Sequence, residues 1–302
     1  MSNTVRCRAT SAHSIRYTAL FRAAQRLYTI SNKEGNATCM NEQHHDQSPP
    51  PQRMRVSLFV TCLADLFRPS VAFASIKLLE QAGCEVTVPL QQTCCGQPAY
   101  NSGDYEATVP LAQQVIALLE TADYVVVPSG SCAGMICHHY PKLLQGEWRD
   151  RALKLAAKTF ELTVFLKDIA RIEPQRNNPP STFSVTYHDG CAGLREMSIK
   201  EQPRELLREL CGIEVDELEQ SEVCCGFGGT FCAKMPEISG KMVNDKLDHA
   251  LATGAKILAG GDLGCLLNIA GRAKRQGQEI EVRHIAELLS GDMDTSPIGE
   301  GR

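Results

Sequence analysis

CEVTVPLQQTCCGQPAYNSGDY, residues 84 to 105, sets two adjacent cysteines before a glycine, just after a short β-branched run. The chain writes the phrase a second time, as GIEVDELEQSEVCCGFGGTFCAKM at 212 to 235. Three further pairs lie around it: RVSLFVTC, ending at Cys62, matches SVTYHDGC, ending at Cys191; DYVVVPSGSC, ending at Cys132, matches KILAGGDLGC, ending at Cys265; and FELTVFLKDIARI (160 to 172) has the shape of QEIEVRHIAELL (278 to 289). Corresponding cysteines are offset by 129, 130, 130 and 133 residues, a steadiness that makes the body of the chain two copies of one unit.

Within each copy short β-rich runs alternate with amphipathic helical patterns. VSLFV, SVAFASIKLLEQAG, EVTVP, YEATVPLAQQVIALLETA and YVVVP follow one another in the first copy. FSVTYH, IKEQPRELLRELCG, IEVDEL, PEISGKMVNDKLDHALATGA and KILAG do so in the second. Helix patterns that begin after Pro or an acid and stop at Gly carry the end signals expected of them. Strand, helix, strand, helix, strand gives a parallel sheet with right-handed crossovers. The expectation is an α/β protein of two pseudo-symmetric Rossmann-like domains, one spanning 54 to 173 and the other 183 to 291. ARIEPQRNNPPST, rich in Pro and Asn, supplies the linker, placed at 174 to 182, and 292 to 302 reads as a flexible tail.

Residues 1 to 53 carry seven Lys/Arg against three Asp/Glu, and the first acid is Glu34. That resembles an organellar transit peptide, but HHDQSPPPQR reads as a disordered linker and a clean strand pattern begins at Met54. The segment is read as a dispensable extension. The whole chain of 302 residues is 43% hydrophobic and 22% charged with a net charge of −4, which argues against nucleic acid as a partner. No uninterrupted apolar run approaches the roughly 20 residues of a membrane span. Fourteen cysteines without a secretory signal imply a reducing, cytoplasmic setting, where cysteine clusters hold metal or do redox chemistry more often than they form disulfides.

Placed on the expected fold, Cys62, Cys94, Cys95 and Cys132 all fall at or shortly after the C-terminal ends of strands, and so do Cys191, Cys224, Cys225 and Cys265. In an open parallel sheet those ends share one edge, the edge where such folds bind ligands. Four convergent thiolates suit an iron–sulfur cluster or a tetrahedral zinc, and thiol chemistry is a third reading. Zinc sites usually take ligands as close CxxC pairs, which this chain lacks, so the scattered pattern favours a cluster.

The spacing C-x31-CCG-x35-C in one copy and C-x32-CCG-x38-C in the other resembles the duplicated cysteine-rich CCG domain found in heterodisulfide reductase, in the glycolate oxidase iron–sulfur protein and in the lactate utilization protein A family. MRVSLFVTCLADLFRP, CCGQPAYNSG, PSGSCAGM, IKEQPRELL and CCGFGGTF are most similar to the last of these, over nearly 240 residues. The resemblance implies an iron–sulfur subunit that works with partner subunits, a second iron–sulfur protein among them, to oxidise L-lactate to pyruvate and pass electrons on. It implies the eight cysteines named above as ligands of one or two [4Fe-4S] clusters. Some resembling proteins end each copy in CxxC and so hold a fifth thiolate; here Met135 and Asn268 stand at those places. HDGCA (188 to 192) also replaces the HDSCH of similar sequences. Readings from other classes are a heterodisulfide or thiol–disulfide oxidoreductase component, a glycolate oxidase-type iron–sulfur component, and a zinc-stabilised binding scaffold.

The remaining cysteines and histidines take plainer readings. Cys7 and Cys39 belong to the extension, Cys84 and Cys211 are small buried residues at equivalent junctions, and Cys137 faces a helical core. Cys232 sits in a Gly-rich loop. Adjacent His138 and His139 cannot both face a site from a helix, because neighbours point about 100° apart. His188 and Asp189 either relay protons or hydrogen-bond a sulfur, or they cap a turn. GFGGT follows the doublet without opening a βα unit, so a dinucleotide reading is weak.

Overall fold

The computed structural model describes residues 53–174 and 183–300. The extension up to residue 52, with Cys7 and Cys39, and most of the expected linker lie outside the described residues. In the first copy β1 (Arg55–Leu58), β2 (Glu85–Thr87), β3 (Tyr124–Val127) and β4 (Thr159–Glu161) form an all-parallel sheet in the order β2-β1-β3-β4. In the second, β5 (Val185–His188), β6 (Ile257–Gly260) and β7 (Glu281–His284) are parallel in the order β5-β6-β7. The central strands β3 and β6 are buried and read as continuous apolar runs, YVVV and ILAG.

IEVDEL, expected as a strand at 213 to 218, makes one parallel bridge, Val185 to Val215, at the free edge of β5. Glu214, Asp216 and Glu217 surround that bridge with like charge, and an edge segment has no neighbour on its other side to extend the ladder. Its place still completes the order of the first sheet, so the two copies share one topology. The fourth strands, β4 and β7, come from the paired tail segments.

Four long helices match the expected patterns: Pro69–Gln81, Tyr105–Leu119, Glu201–Cys211 and Pro236–Ala252. Asp104 caps the second by accepting the Ala107 N–H at 3.0 Å, and Gly212 closes the third in the left-handed region at φ 67°. None of the described helices is long and apolar enough to cross a membrane. The copies exchange helices reciprocally. Ile285–Ser290 of the second copy packs on Pro69–Gln81 of the first, and Glu201–Cys211 packs on the helical segment from Leu162 to Ile169. Leu78, Leu79, Phe165, Leu207 and Ile285, each 0% exposed, thereby share one core that runs through both sheets. Burying each such side chain contributes about 1.5 to 3 kcal/mol.

Polar contacts to Glu287 tighten this exchange. Glu287, fully buried, receives Arg68 through Nε at 2.6 Å and Nη2 at 3.1 Å, together with the Ser70 hydroxyl at 2.5 Å. Residues 292 to 300, expected as a flexible tail, are docked. The Ile298 N–H donates to the Val282 carbonyl at 2.8 Å, and Ile298 enters the core because it is the one bulky aliphatic residue of that stretch.

Candidate metal centre

In an order of the type 2-1-3-4 the direction of winding reverses between strands 1 and 3, which opens a crevice beyond their C-terminal ends. Cys62 begins the helix Cys62–Phe67 after β1, and Cys132 lies in the helix Gly130–Gly134 after β3. Cys191 and Cys265 open the corresponding helices after β5 and β6. Each doublet arrives on the loop that follows the neighbouring edge segment. In the first copy that loop is moored by Gln92, whose Nε2 donates to the Leu58 carbonyl at 2.7 Å.

The thiols meet in a chain of four within each copy. Cys62 hydrogen-bonds Cys94, Cys94 contacts Cys95, and the sulfurs of Cys95 and Cys132 lie 3.4 Å apart. Cys191, Cys224, Cys225 and Cys265 repeat the sequence of contacts. The Cys62 and Cys95 thiols, with the Gly96 N–H, hold Cys94 down to about 3, and Cys191, Cys225 and the Gly226 N–H hold Cys224 down to about 2. Their donors Cys62, Cys95, Cys191 and Cys225 are pushed up, because each gives its proton to a neighbouring sulfur and is itself buried. Carrying several thiolates at such distances calls for the positive charge of a metal guest. Four soft sulfur donors in contact, with a backbone N–H turned onto one of them, fit such a guest.

The glycine of each doublet makes this turn. Gly96 and Gly226 sit at φ +86° and +81°, in the left-handed region, and each directs its N–H at the first cysteine of its doublet, 3.4 Å from Sγ. A donor from the helical segment beyond the third strand then fixes the second cysteine. Tyr140 Oη donates to the Cys95 carbonyl at 2.7 Å, and Asn268 Nδ2 donates to the Cys225 carbonyl at 3.0 Å. Asn268 therefore works on the backbone of the doublet, while Met135 is fully buried in the core.

Four other cysteines among the described residues bond elsewhere. Cys137 Sγ turns to the carbonyls of Thr159 at 3.5 Å and Ala156 at 3.8 Å, and burial pushes its thiol up to about 12. Cys84 lies in the core, Cys211 faces the Leu288 carbonyl at 3.6 Å, and Cys232 faces the Gly229 carbonyl at 3.6 Å.

Cys62, Cys94, Cys95, Cys132, Cys191 and Cys265 line one cleft of about 490 Å³ between the copies. Beside the cleft the copies approach closely: a Cβ on Gly130 would stand 2.6 Å from Gly193 Cα. His139 also faces the cleft, with Nε2 3.1 Å from Glu196 Oε2 and its ring 4.7 Å from that of Tyr100. His138 lines a separate groove on the other side of the helical turn. The GFGGT loop crosses to the first copy, where the Thr230 and Ser102 hydroxyls meet at 2.9 Å. Asp189 is held by Arg204 through two contacts of 2.9 Å, so it neither touches a sulfur nor caps the turn. His188 is 1% exposed, and burial together with the charge of Lys246 pushes its imidazole down to about 3. Sequence reasoning missed the Ser129, Asp262 and Glu196 contacts, which join the copies, because nothing in either copy alone marks the face that meets the other.

Comparison with known proteins accords with this architecture. The family model described as a cysteine-rich domain, CCG, matches residues 56–137 and again 185–270. Lactate utilization protein A of Halalkalibacterium halodurans is 47% identical over 239 residues, 78% of this chain and 97% of its own length. Lactate utilization protein A of Shouchella clausii is 48% identical over 239 residues, 78% of this chain and 99% of its own. Lactate utilization protein A 2 of Bacillus cereus (strain Q1) is 44% identical over 241 residues, with 78% and 98% covered. Among solved structures, a hypothetical protein from Helicobacter pylori superposes with a TM-score of 0.56 at 12% identity, over 84% of this chain and 52% of that one, a likeness of fold alone.

Proposed function

Because this chain belongs to the lactate utilization protein A family, with the cysteine-rich CCG unit present twice, we propose that it is the iron–sulfur electron-transfer subunit of a complex that oxidises L-lactate to pyruvate. The observation that carries this reading is the pair of matching sulfur tetrads built around one cleft. Cys62, Cys94, Cys95 and Cys132 would hold one cluster, and Cys191, Cys224, Cys225 and Cys265 a second. Bound clusters supply one-electron exchange; lactate oxidation releases two electrons and two protons, so two neighbouring one-electron sites match its stoichiometry.

The residues of this chain do the remaining work. Gly96 and Gly226 direct amide N–H groups onto sulfur, which stabilises negative charge there. Tyr140 and Asn268 fix the doublets, and the apolar packing of Phe59, Ile116 and Met135 excludes water behind the first tetrad. Partner subunits, a second iron–sulfur protein among them, would deliver or accept the electrons at the open side of the cleft.

Anaerobic purification tests the reading. Brown protein with iron and acid-labile sulfide in equal amounts is expected, and colourless protein with tightly held zinc would refute it. Deleting the gene should abolish growth on L-lactate in a strain with no other lactate dehydrogenase. Normal growth would refute the substrate assignment while leaving the clusters in place.

A further inference from the structure

The two tetrads differ at one position that no thiol count reveals. β1 and β5 are the same strand of the two copies, and their registers against β3 and β6 place Phe59 and His188 at the same point, three residues before Cys62 and Cys191. Phe59, fully buried, packs with Cys95 in the core beneath the first tetrad. His188 takes that place beneath the second. It is 1% exposed, and neither Nδ1 nor Nε2 has a hydrogen-bond partner. A ring nitrogen and the sulfurs of Cys225 and Cys265 all lie within 4.8 Å of one another.

A buried imidazole with both nitrogens unpaired is costly, and buried polar groups in folded proteins are almost always satisfied. Two charged neighbours are committed elsewhere: Asp189 is taken by Arg204, and Lys246 gives its ammonium to the Gln220 and Ser221 carbonyls at 2.8 and 3.0 Å. The sulfurs of Cys225 and Cys265 lie within its reach, and imidazole nitrogen beside thiolate is a donor set that both iron and zinc accept.

We propose that His188 is a nitrogen ligand of the metal centre in the second copy, alongside Cys225 and Cys265, which makes that centre a mixed sulfur and nitrogen site, whereas the first copy, with Phe59 in the same place, is bound by sulfur alone. The proposal rests on the metal-binding reading above and adds that the two centres are chemically unlike.

Pulsed electron paramagnetic resonance on the anaerobically purified, dithionite-reduced full chain tests this, with unlabelled and 15N-histidine-labelled protein compared. Expected is a strong nitrogen coupling that changes with the label and is lost in His188→Phe, which installs the residue of the first copy. His188→Cys should keep wild-type iron content and lack the coupling. Should His188→Phe not fold, the label in the unsubstituted chain and His188→Cys decide the matter. Full iron content without a histidine-derived coupling, or a coupling unchanged by either substitution, overturns the ligand assignment and leaves the cluster reading intact. Protein without iron overturns both.

Discussion

Ser129 donates its hydroxyl to Asp262 Oδ1 at 2.7 Å, and the two residues occupy the same place in the two copies, three before Cys132 and three before Cys265. The duplicated unit therefore meets itself at equivalent positions, which in each copy immediately precede the helix that carries a cleft cysteine. Asp262 Oδ1 also accepts the Ser131 N–H at 3.0 Å, and both side chains are buried. Asp262→Ala takes the acceptor from the Ser129 hydroxyl and from the half-buried Ser131 N–H and is expected to cost about 2 kcal/mol, against about 1 kcal/mol for Ser129→Ala. The double variant should lose little more than Asp262→Ala alone, because the residues act as one contact. Denaturant unfolding of all three variants checks this, and strictly additive losses would sink it.

Gly226→Ala should be more damaging than Gly96→Ala although the two glycines share a backbone conformation. A Cβ at Gly226 would stand 2.8 Å from the Ser239 carbonyl oxygen, which is helix backbone and cannot yield, and 3.0 Å from Met242 Cβ. At Gly96 the nearest atom is Thr108 Cγ2 at 3.1 Å, a side-chain methyl. The left-handed φ alone costs about 1 to 2 kcal/mol at either position, and the clash adds to it at Gly226. Iron content and melting temperature should fall in both variants, further in Gly226→Ala; equal losses would mean that the helix Pro236–Ala252 shifts to make room.

Most of this arrangement is legible in the sequence because it is written twice. The steady offset between cysteines aligned the strands, and parallel topology then sent all eight thiols to one edge. Three things were not legible. IEVDEL looks like EVTVP in apolar spacing, but its acids at an unpartnered edge reduce it to the Val215 bridge. The docking of Ile298 depends on a groove made by residues remote in sequence. The role of His188 needs the fold, because the pairing of RVSLFVTC with SVTYHDGC sets it opposite Phe59 but does not bring it to Cys225 and Cys265.

Cysteine replacements should divide cleanly by where their sulfurs point. Cys95→Ser and Cys225→Ser each remove a sulfur from the middle of a tetrad and are expected to lose one site's iron apiece. Cys137→Ser and Cys211→Ser should keep wild-type iron, since those thiols face the carbonyls of Thr159 and Leu288. Their hydroxyls can still donate to those carbonyls, so stability should change by less than about 1 kcal/mol. Iron loss in Cys137→Ser at unchanged stability would instead make Cys137 a ligand.

Glu161 gives the copies' interface a pH dependence of known sign. It is fully buried beside the junction, it caps the helical turn that begins at Leu162 by accepting the Thr163 N–H at 2.7 Å, and burial pushes its carboxyl up to about 7 from an ordinary 4.5. Between those two values the folded chain holds a proton that the unfolded chain has released, so stability falls as pH rises from about 4.5 to about 7 and is level above that. The full span corresponds to an upper bound on the order of 3 kcal/mol. Glu161→Gln keeps an oxygen for the cap and cannot ionise. It should match the wild type near pH 5 and exceed it at pH 8, as read from the difference between the two proteins' unfolding midpoints at each pH, which cancels the titration of the thiols. A variant that is less stable than wild type by the same amount at both pH values would show that Glu161 stays charged throughout, held so by its bonds to Thr163 and Val164.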